Sequence, residues 1–327
     1  MTDRHPARIL QDLVNGHVAP RCLHVIAEFG VADALGERPE TASVLAARTG
    51  LDAGALDRML RLLAAYGVFA REGDAYVHTP VSRHLRSDHP QSLRSFARTM
   101  GSPIFWKGFT ELAHAARTGK PATDWAGILA HFAQHPDEGR MFNEAMAGKS
   151  IAAVPAVLEA YDFSAFGTIA DIGGGRGHLL RAILERVPGA QGILFELPQV
   201  IEDAAREGIP RTQLVAGDFF VDPLPAADAY LLMEIIHDWG DDDAARILAA
   251  VRRAAPTHAR VLIVETLVPD SPGPGFAKTL DVIMLAITGG RERTPAEFET
   301  LLAGAGLRLE RVIRTPSHYS IVEATVA

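Results

Sequence analysis

The chain has 327 residues, 48% of them apolar and 22% charged, and carries a net charge of −8. That balance belongs to a globular protein of one large or two modest domains, and it excludes a disordered chain, a fibre and a disulfide scaffold. Cys22 is the only cysteine, so neither an internal disulfide nor a cysteine-based zinc site can form.

The opening Met-Thr-Asp-Arg-His has no apolar stretch of the kind a signal peptide needs, which predicts a cytoplasmic protein. Leu23, Ile26 and Ala27, then Val31, Ala34 and Leu35, recur at helical spacing, broken at Gly30 and Gly36. The run Thr41–Gly50 predicts a helix capped by Thr41 and stopped by glycine. After a turn at Leu51–Gly54, a second helix presents Leu56, Met59, Leu60, Leu62 and Leu63 and ends at Gly67. Val68–Arg71 and Ala75–His78, joined by Glu72-Gly73-Asp74, predict a hairpin. Helix, turn, helix and hairpin together spell a winged helix. Many such modules read DNA. Residues 1–100, however, hold 12 Arg against 11 Asp plus Glu, and the second helix offers only Arg58 and Arg61 beside Asp57. That lacks a basic footprint, so no nucleic-acid partner is expected.

Residues 92–160 read as mostly helical and aromatic-rich, and they include Phe142-Asn-Glu-Ala-Met146. The longest uncharged run of the chain, Trp125–Pro136, has 12 residues and two histidines. A membrane span needs about 20 apolar residues, so no membrane partner is expected. From Thr168 the pattern becomes strand–helix alternation, with strands predicted at 168–172, 192–196, 212–216, 228–236 and 260–265 and helices at 178–187 and 241–254. Alternation of this kind predicts a doubly wound α/β domain with a parallel sheet.

The first of these strands runs into Asp171-Ile-Gly-Gly-Gly-Arg-Gly177, a loop that lets a ligand approach backbone closely at a helix N-terminus. The dinucleotide fingerprint GxGxxG fails, because its last glycine would fall on His178. Gly173-x-Gly175-x-Gly177 after Asp171 is instead the spacing of S-adenosylmethionine (SAM) methyltransferases; the plain alternative is a structural turn. Glu196 ends the second strand, where a carboxylate can accept two ribose hydroxyls, a place shared with NAD enzymes. Asp218 and Phe219 follow the third strand, placed to take the adenine amino group and to stack on the ring. The fourth strand closes with Met233-Glu-Ile-Ile-His-Asp-Trp239, so His237 is expected at the ligand crevice. Glu265 at the end of the fifth strand and Glu292 in Gly290-Arg-Glu-Arg-Thr294 are both expected to converge on its imidazole.

Taken with Phe142-Asn-Glu-Ala-Met146, Phe195-Glu-Leu-Pro198, Gly217-Asp-Phe-Phe220, His237-Asp-Trp239 and Asp281-Val-Ile-Met284, this ordered set spans nearly the whole chain. It resembles the plant-type (class II) SAM-dependent small-molecule O-methyltransferases, a class that includes bacterial enzymes that decorate phenolic antibiotics. The resemblance implies a Rossmann-like SAM-methyltransferase domain over 96–327, with a helical connector at 96–160 lining the acceptor pocket and a core at 161–327. It implies a winged-helix dimerisation domain over 1–95, hence a homodimer. The implied reaction methylates a phenolic hydroxyl of a small aromatic or polyketide-type metabolite, without a metal; no compact ligand set such as HExxH is present.

In that resemblance His237 is the general base and Glu265 and Glu292 flank it. Positions matching Ser150, Gly173, Gly175, Glu196, Asp218 and Phe219 contact SAM. Phe142, Met146, Asp238, Met284 and Thr288 match the acceptor pocket, although ordinary core packing explains the methionines equally well. Two departures stand out. Glu196 replaces the usual Asp, and Met233 occupies a cofactor position where plant members carry a contacting Lys, so that contact is lost. The rival readings are a winged-helix regulator, a SAM-binding relative drifted to decarboxylation or hydroxylation, and a nicotinamide dehydrogenase. Retention of His237 with both acids argues against the second, and the failed fingerprint against the third.

Overall fold

The computed structural model describes residues 5–327, apart from the side chains of Ala152 and Glu207. Met1–Arg4, read above for a signal peptide, lies outside them. By their contacts the described residues fall into two units. The first runs through Trp106 and includes His135–Lys149; the second takes Lys107–Gln134 and Ser150–Ala327. The division therefore passes through the stretch 96–160 expected as one connector.

In the first unit the helix Ala42–Thr49 starts at Thr41, whose hydroxyl accepts from the amide of Val44, and stops at left-handed Gly50. The second helix, Ala53–Ala65, begins inside the expected turn, because the Asp52 carboxylate caps the amide of Ala55 at 2.8 Å. The hairpin pairs β2 (Phe69–Glu72) with β3 (Ala75–His78), and β3 also pairs β1 (Glu40–Thr41), a strand too short to show in sequence. Ile26, Leu35, Leu45, Leu56, Leu60, Leu63, Phe69 and Tyr76 form the core, while Met59 and Leu62 are half-buried. This is the expected winged-helix arrangement.

The second unit holds a seven-stranded sheet of β4 (Thr168–Ile172), β5 (Gln191–Glu196), β6 (Thr212–Ala216), β7 (Ala229–Met233), β8 (Arg260–Glu265), β9 (Leu307–Arg314) and β10 (Ser320–Val326), in the order β6-β5-β4-β7-β8-β10-β9. Strands β4 to β8 are parallel. The sheet is not wholly parallel as expected, since β10 runs antiparallel to both β8 and β9. Side chains alternate between two buried faces. Tyr230, Leu232, Val261 and Ile263 pack under Ile247, Leu248, Phe298 and Leu302 on one face. Leu231, Leu262 and Val264 pack with Val157, Leu180 and Ile183 on the other. Each fully buried aliphatic side chain contributes about 1.5–3 kcal/mol by leaving water. Strand order reverses between β4 and β7, so the ligand crevice lies beyond their carboxyl ends.

Strand β7 is shorter than the predicted 228–236. It ends at Met233, because Glu234 adopts φ +55 and turns the chain out of the sheet. The apolar run continues past that point only because Ile235 and Ile236 pack from a turn. Among the described residues, no helix is long and apolar enough to cross a membrane.

Candidate active site

The loops after β4, β5, β6, β7 and β8 all open at one edge of the sheet. Gly173, with φ +70, sits where three of them meet: a Cβ there would lie 2.6 Å from Cδ1 of Ile235 and 3.7 Å from Cε1 of Phe219. Packing therefore requires glycine at 173, whereas a Cβ on Gly175, with φ +56, would meet nothing within 4 Å, so there the loop backbone is open to a ligand as it leads into the helix His178–Arg186. Glu196 reaches across from β5. Its two oxygens accept the amides of Gly175 at 3.1 Å and Leu197 at 2.7 Å, and burial holds its carboxyl above the usual carboxylate range. Two of about four acceptor sites are thereby used, leaving capacity for hydroxyl donors.

Asp171, which entered the sequence reading only as part of a spacing, is 1% exposed and packs directly beneath Gly174. Burial, then the charge of Glu196, pushes it up to about 7, and its Oδ1 has no partner among the described residues. A bare glycine cradle, an acid facing it and an orphaned carboxyl oxygen beneath it fit a nucleoside with a cationic amino-acid tail. Asp218 spends Oδ1 on the amide of Phe220 at 2.8 Å, which fixes the turn after β6. Phe219 stands edge-on to Trp239 at 6.1 Å between ring centres. Met233 ends β7 and packs partly into the core. Ser150 lies within the helix Pro136–Ala160.

His237 does not end a strand. It sits in the single 3₁₀ turn Ile236–Asp238 and is 4% exposed. Its Nδ1 lies 2.7 Å from Oε1 of Glu292, a short charge-assisted hydrogen bond. Glu265 does not meet the ring as expected: its Oε1 accepts the backbone amide of His237 at 3.0 Å. Asp238 is 3.8 Å from Nε2, beyond hydrogen-bond range. With Nδ1–H given to Glu292, Nε2 is the nitrogen free to take a proton. Burial opposes a charged ring, but the hydrogen bond to Glu292 and the charges of Asp238, Glu265 and Glu292 outweigh it and push His237 up to about 10. Burial is also the main push on Glu265, to about 7.

The segment Gly290–Arg293 grips this turn at every residue. A Cβ on Gly290 would lie 2.0 Å from the carbonyl oxygen of His237, so only glycine allows the two backbones to touch. Arg291 donates its amide to that same carbonyl at 2.9 Å. The amide of Glu292 is held by Asp281 at 3.0 Å. Residue-type reasoning missed Gly290, Asp281 and Arg293, because a Gly-Arg-Glu-Arg run reads as a solvated loop. Of the expected acceptor-pocket residues, Phe142 and Met146 lie in the first unit, where Phe142 stacks on Phe105 at 6.0 Å. Asp238, Met284 and Thr288 lie in the second, and the Thr288 hydroxyl is spent on the carbonyl of Met284 at 3.1 Å and the amide of Gly290 at 3.0 Å.

Comparison with known proteins adds an independent line. The profile of an O-methyltransferase domain matches residues 109–308, and that of an O-methyltransferase dimerisation domain matches 11–88. The phenazine O-methyltransferase PhzM of Lysobacter antibioticus is 41% identical over 325 residues, covering 97% of this chain and 95% of that protein. The mitomycin biosynthesis 6-O-methyltransferase of Streptomyces lavendulae is 38% identical, covering 92% and 89%. Among solved structures, the S-adenosylhomocysteine-bound form of CalO1, a methyltransferase in calicheamicin biosynthesis, superposes with a TM-score of 0.87 at 36% identity over the whole of both chains.

Proposed function

The chain belongs to the O-methyltransferase family and uses SAM as methyl donor, and from that premise we propose that it methylates a phenolic hydroxyl of a small aromatic metabolite, with His237 as general base. One observation supports the base assignment above others: a buried imidazole with Nδ1 on a carboxylate and Nε2 open, in the crevice that holds the glycine loop. When bound, SAM supplies the methyl group from a sulfonium centre. Gly173, Gly175, Glu196, Asp218 and Phe219 are the residues that hold the nucleoside. Nε2 of His237 receives the hydroxyl proton, while Glu292 fixes the tautomer and steadies the imidazolium that forms. Proton removal before transfer is uphill by roughly 5 kcal/mol for a phenol of pKa about 10 and a free imidazole of about 6.5. The carboxylates raise the basicity of the ring and so narrow that gap, and holding the oxygen in place contributes further as proximity.

The aromatic acceptor class is carried over from relatives acting on phenazine and mitomycin scaffolds. Incubating the full chain with SAM and a panel of small phenols should yield a methyl ether and one S-adenosylhomocysteine per product, read by mass spectrometry. Consumption of a panel member with loss of carbon dioxide or gain of oxygen, and no methylated product, would replace this reading with the drifted one.

We also infer a homodimer formed through the segment that matches the dimerisation profile. The helix Pro6–Val14 presents Leu10, Leu13 and Val14 to solvent at 64–73% exposure, a stripe that a second copy would cover. Light scattering at micromolar concentration should return twice the chain mass; a stable monomer removes the idea. Retardation of a generic DNA duplex at physiological salt would favour the regulator instead.

A further inference from the structure

Among the described residues Arg293 is the largest fully buried side chain, 1% exposed, and a guanidinium out of water is costly unless its whole fork is used. Its donors go mainly to the turn that carries His237 and to the helix that follows it, with a longer contact of 3.5 Å from Nη1 to the Arg291 carbonyl. Nη1 donates to the carbonyl of Ile236 at 3.1 Å, and Nη2 to that of Trp239 at 2.9 Å. Nη2 and Nε both reach Oδ1 of Asp241, at 2.8 and 3.1 Å, the first residue of the helix Asp241–Ala254. The two carbonyls bracket His237 on either side. The turn between them has little support of its own: it is one 3₁₀ turn, entered through Glu234 at φ +55. The clamp is anchored, since the Arg293 carbonyl accepts the amide of Val268 at 3.0 Å, just beyond β8. Glu292 and Arg293 are adjacent in this segment, so one holds the ring while the next holds the main chain that carries it.

We propose that Arg293 is a positioning residue for the general base, its planar fork fixing the short turn so that Nδ1 of His237 stays on Glu292 and Nε2 stays aimed at the acceptor hydroxyl. This rests on the reading of His237 as base. Lysine would keep the buried charge but, as a single point donor, cannot span two carbonyls and a carboxylate.

The test uses the ring itself, in the full ligand-free chain labelled with nitrogen-15 histidine. The His237 resonances are identified by their absence in His237→Ala. In Arg293→Lys they should move toward those of a free imidazole, with the titration midpoint falling toward 6.5. Binding of S-adenosylhomocysteine, by calorimetry, should stay as in the parent chain. On a phenol the parent methylates, kcat should fall about 10²-fold, the cost of misplacing a reacting group by about 1 Å, with acceptor KM little changed. A folded Arg293→Lys whose His237 resonances and titration match the parent overturns the proposal, as does a loss confined to thermal stability. Should Arg293→Lys fail to fold, Asp241→Ala, which removes one partner of the fork at the surface, should shift the ring in the same direction by less. Unmoved resonances there overturn the proposal as well. If His237→Ala keeps full turnover, the base assignment fails whatever Arg293→Lys does to the ring. If His237→Ala abolishes turnover while Arg293→Lys leaves the ring unmoved, the base stands and the clamp fails.

Discussion

Replacing His237 by alanine should lower kcat on an ordinary phenol by about 10²–10⁴-fold, the range for a general base, and leave the affinity for S-adenosylhomocysteine, which lacks the sulfonium charge, unchanged. The split follows from geometry. The ring is held from the Glu292 side and leaves Nε2 for the acceptor, while the groups proposed to hold the nucleoside stand on the loops after β4, β5 and β6. Glu292→Gln should cost less than His237→Ala, because an amide can still accept from Nδ1–H but no longer steadies an imidazolium. Glu265→Gln should cost less again, since Glu265 holds the His237 amide and not the ring. Neither loss should add to His237→Ala, because the three act as one unit. Near-normal turnover by His237→Ala on a high-pKa phenol would make the residue structural.

The same cage sets a pH dependence. In the ligand-free chain His237 is pushed up to about 10, so at pH 7 it is a cation and must lose a proton before it can act. The carboxylates thus carry the ring above the optimum for a base, which lies near ambient pH. The sulfonium charge of SAM, when bound in the same crevice, would oppose the imidazolium and return the ring toward neutrality. At limiting SAM, kcat/KM should therefore still be rising above pH 7. The kcat profile, which reports the loaded enzyme, should level off at lower pH. Flat profiles on a phenol of ordinary pKa would contradict this. An acceptor already ionised at neutral pH should flatten both.

Most of the parallel core was legible in sequence, because β4, β6 and β8 are bounded apolar runs with helices of 3.6 periodicity between them. The antiparallel pair β9 and β10 was not, since the strand–helix rhythm stops and their connection at 315–319 carries none of the dipeptides that mark tight hairpins. Strand β7 was overextended because Ile235 and Ile236 look like two more strand residues. Nothing in their type reports that Glu234 takes a left-handed turn between them and Met233. His237 and its two acids were found from residue chemistry and resemblance, but which acid meets the ring depends on a turn of three residues. Arg291 and Arg293 show the limit most plainly. The same residue type, two positions apart, gives a 43% exposed side chain pairing with Asp241 and Glu297 and a 1% exposed one gripping main chain. The packing of Gly290 against His237 and the pairing of Arg293 with the chain at 267–268 set the segment so that Arg293 turns inward.

Glu196→Ala should weaken SAM binding by about 1.5–3 kcal/mol, roughly 10- to 150-fold, the worth of hydrogen bonds to a charged group. The side chain, one methylene longer than an Asp, does not leave the carboxylate adrift, because Gly175 and Leu197 hold one oxygen each. Removing it also changes Asp171, which burial and the charge of Glu196 push up to about 7. In the unfolded chain that carboxyl ionises near 3.9. Between about pH 4 and 7 the unfolded state has therefore already shed a proton that the folded state keeps, and this group's contribution to stability falls as pH rises. Without Glu196 the folded-state value drops and the window narrows, so Glu196→Ala should lose less stability than the parent between pH 4 and 7 even as it loses affinity. Calorimetric titration with SAM and NAD, alongside thermal melts across that range, separates the two effects. Unchanged SAM affinity would remove Glu196 from the cofactor site, and tight NAD binding with none for SAM would overturn the assignment of the nucleoside.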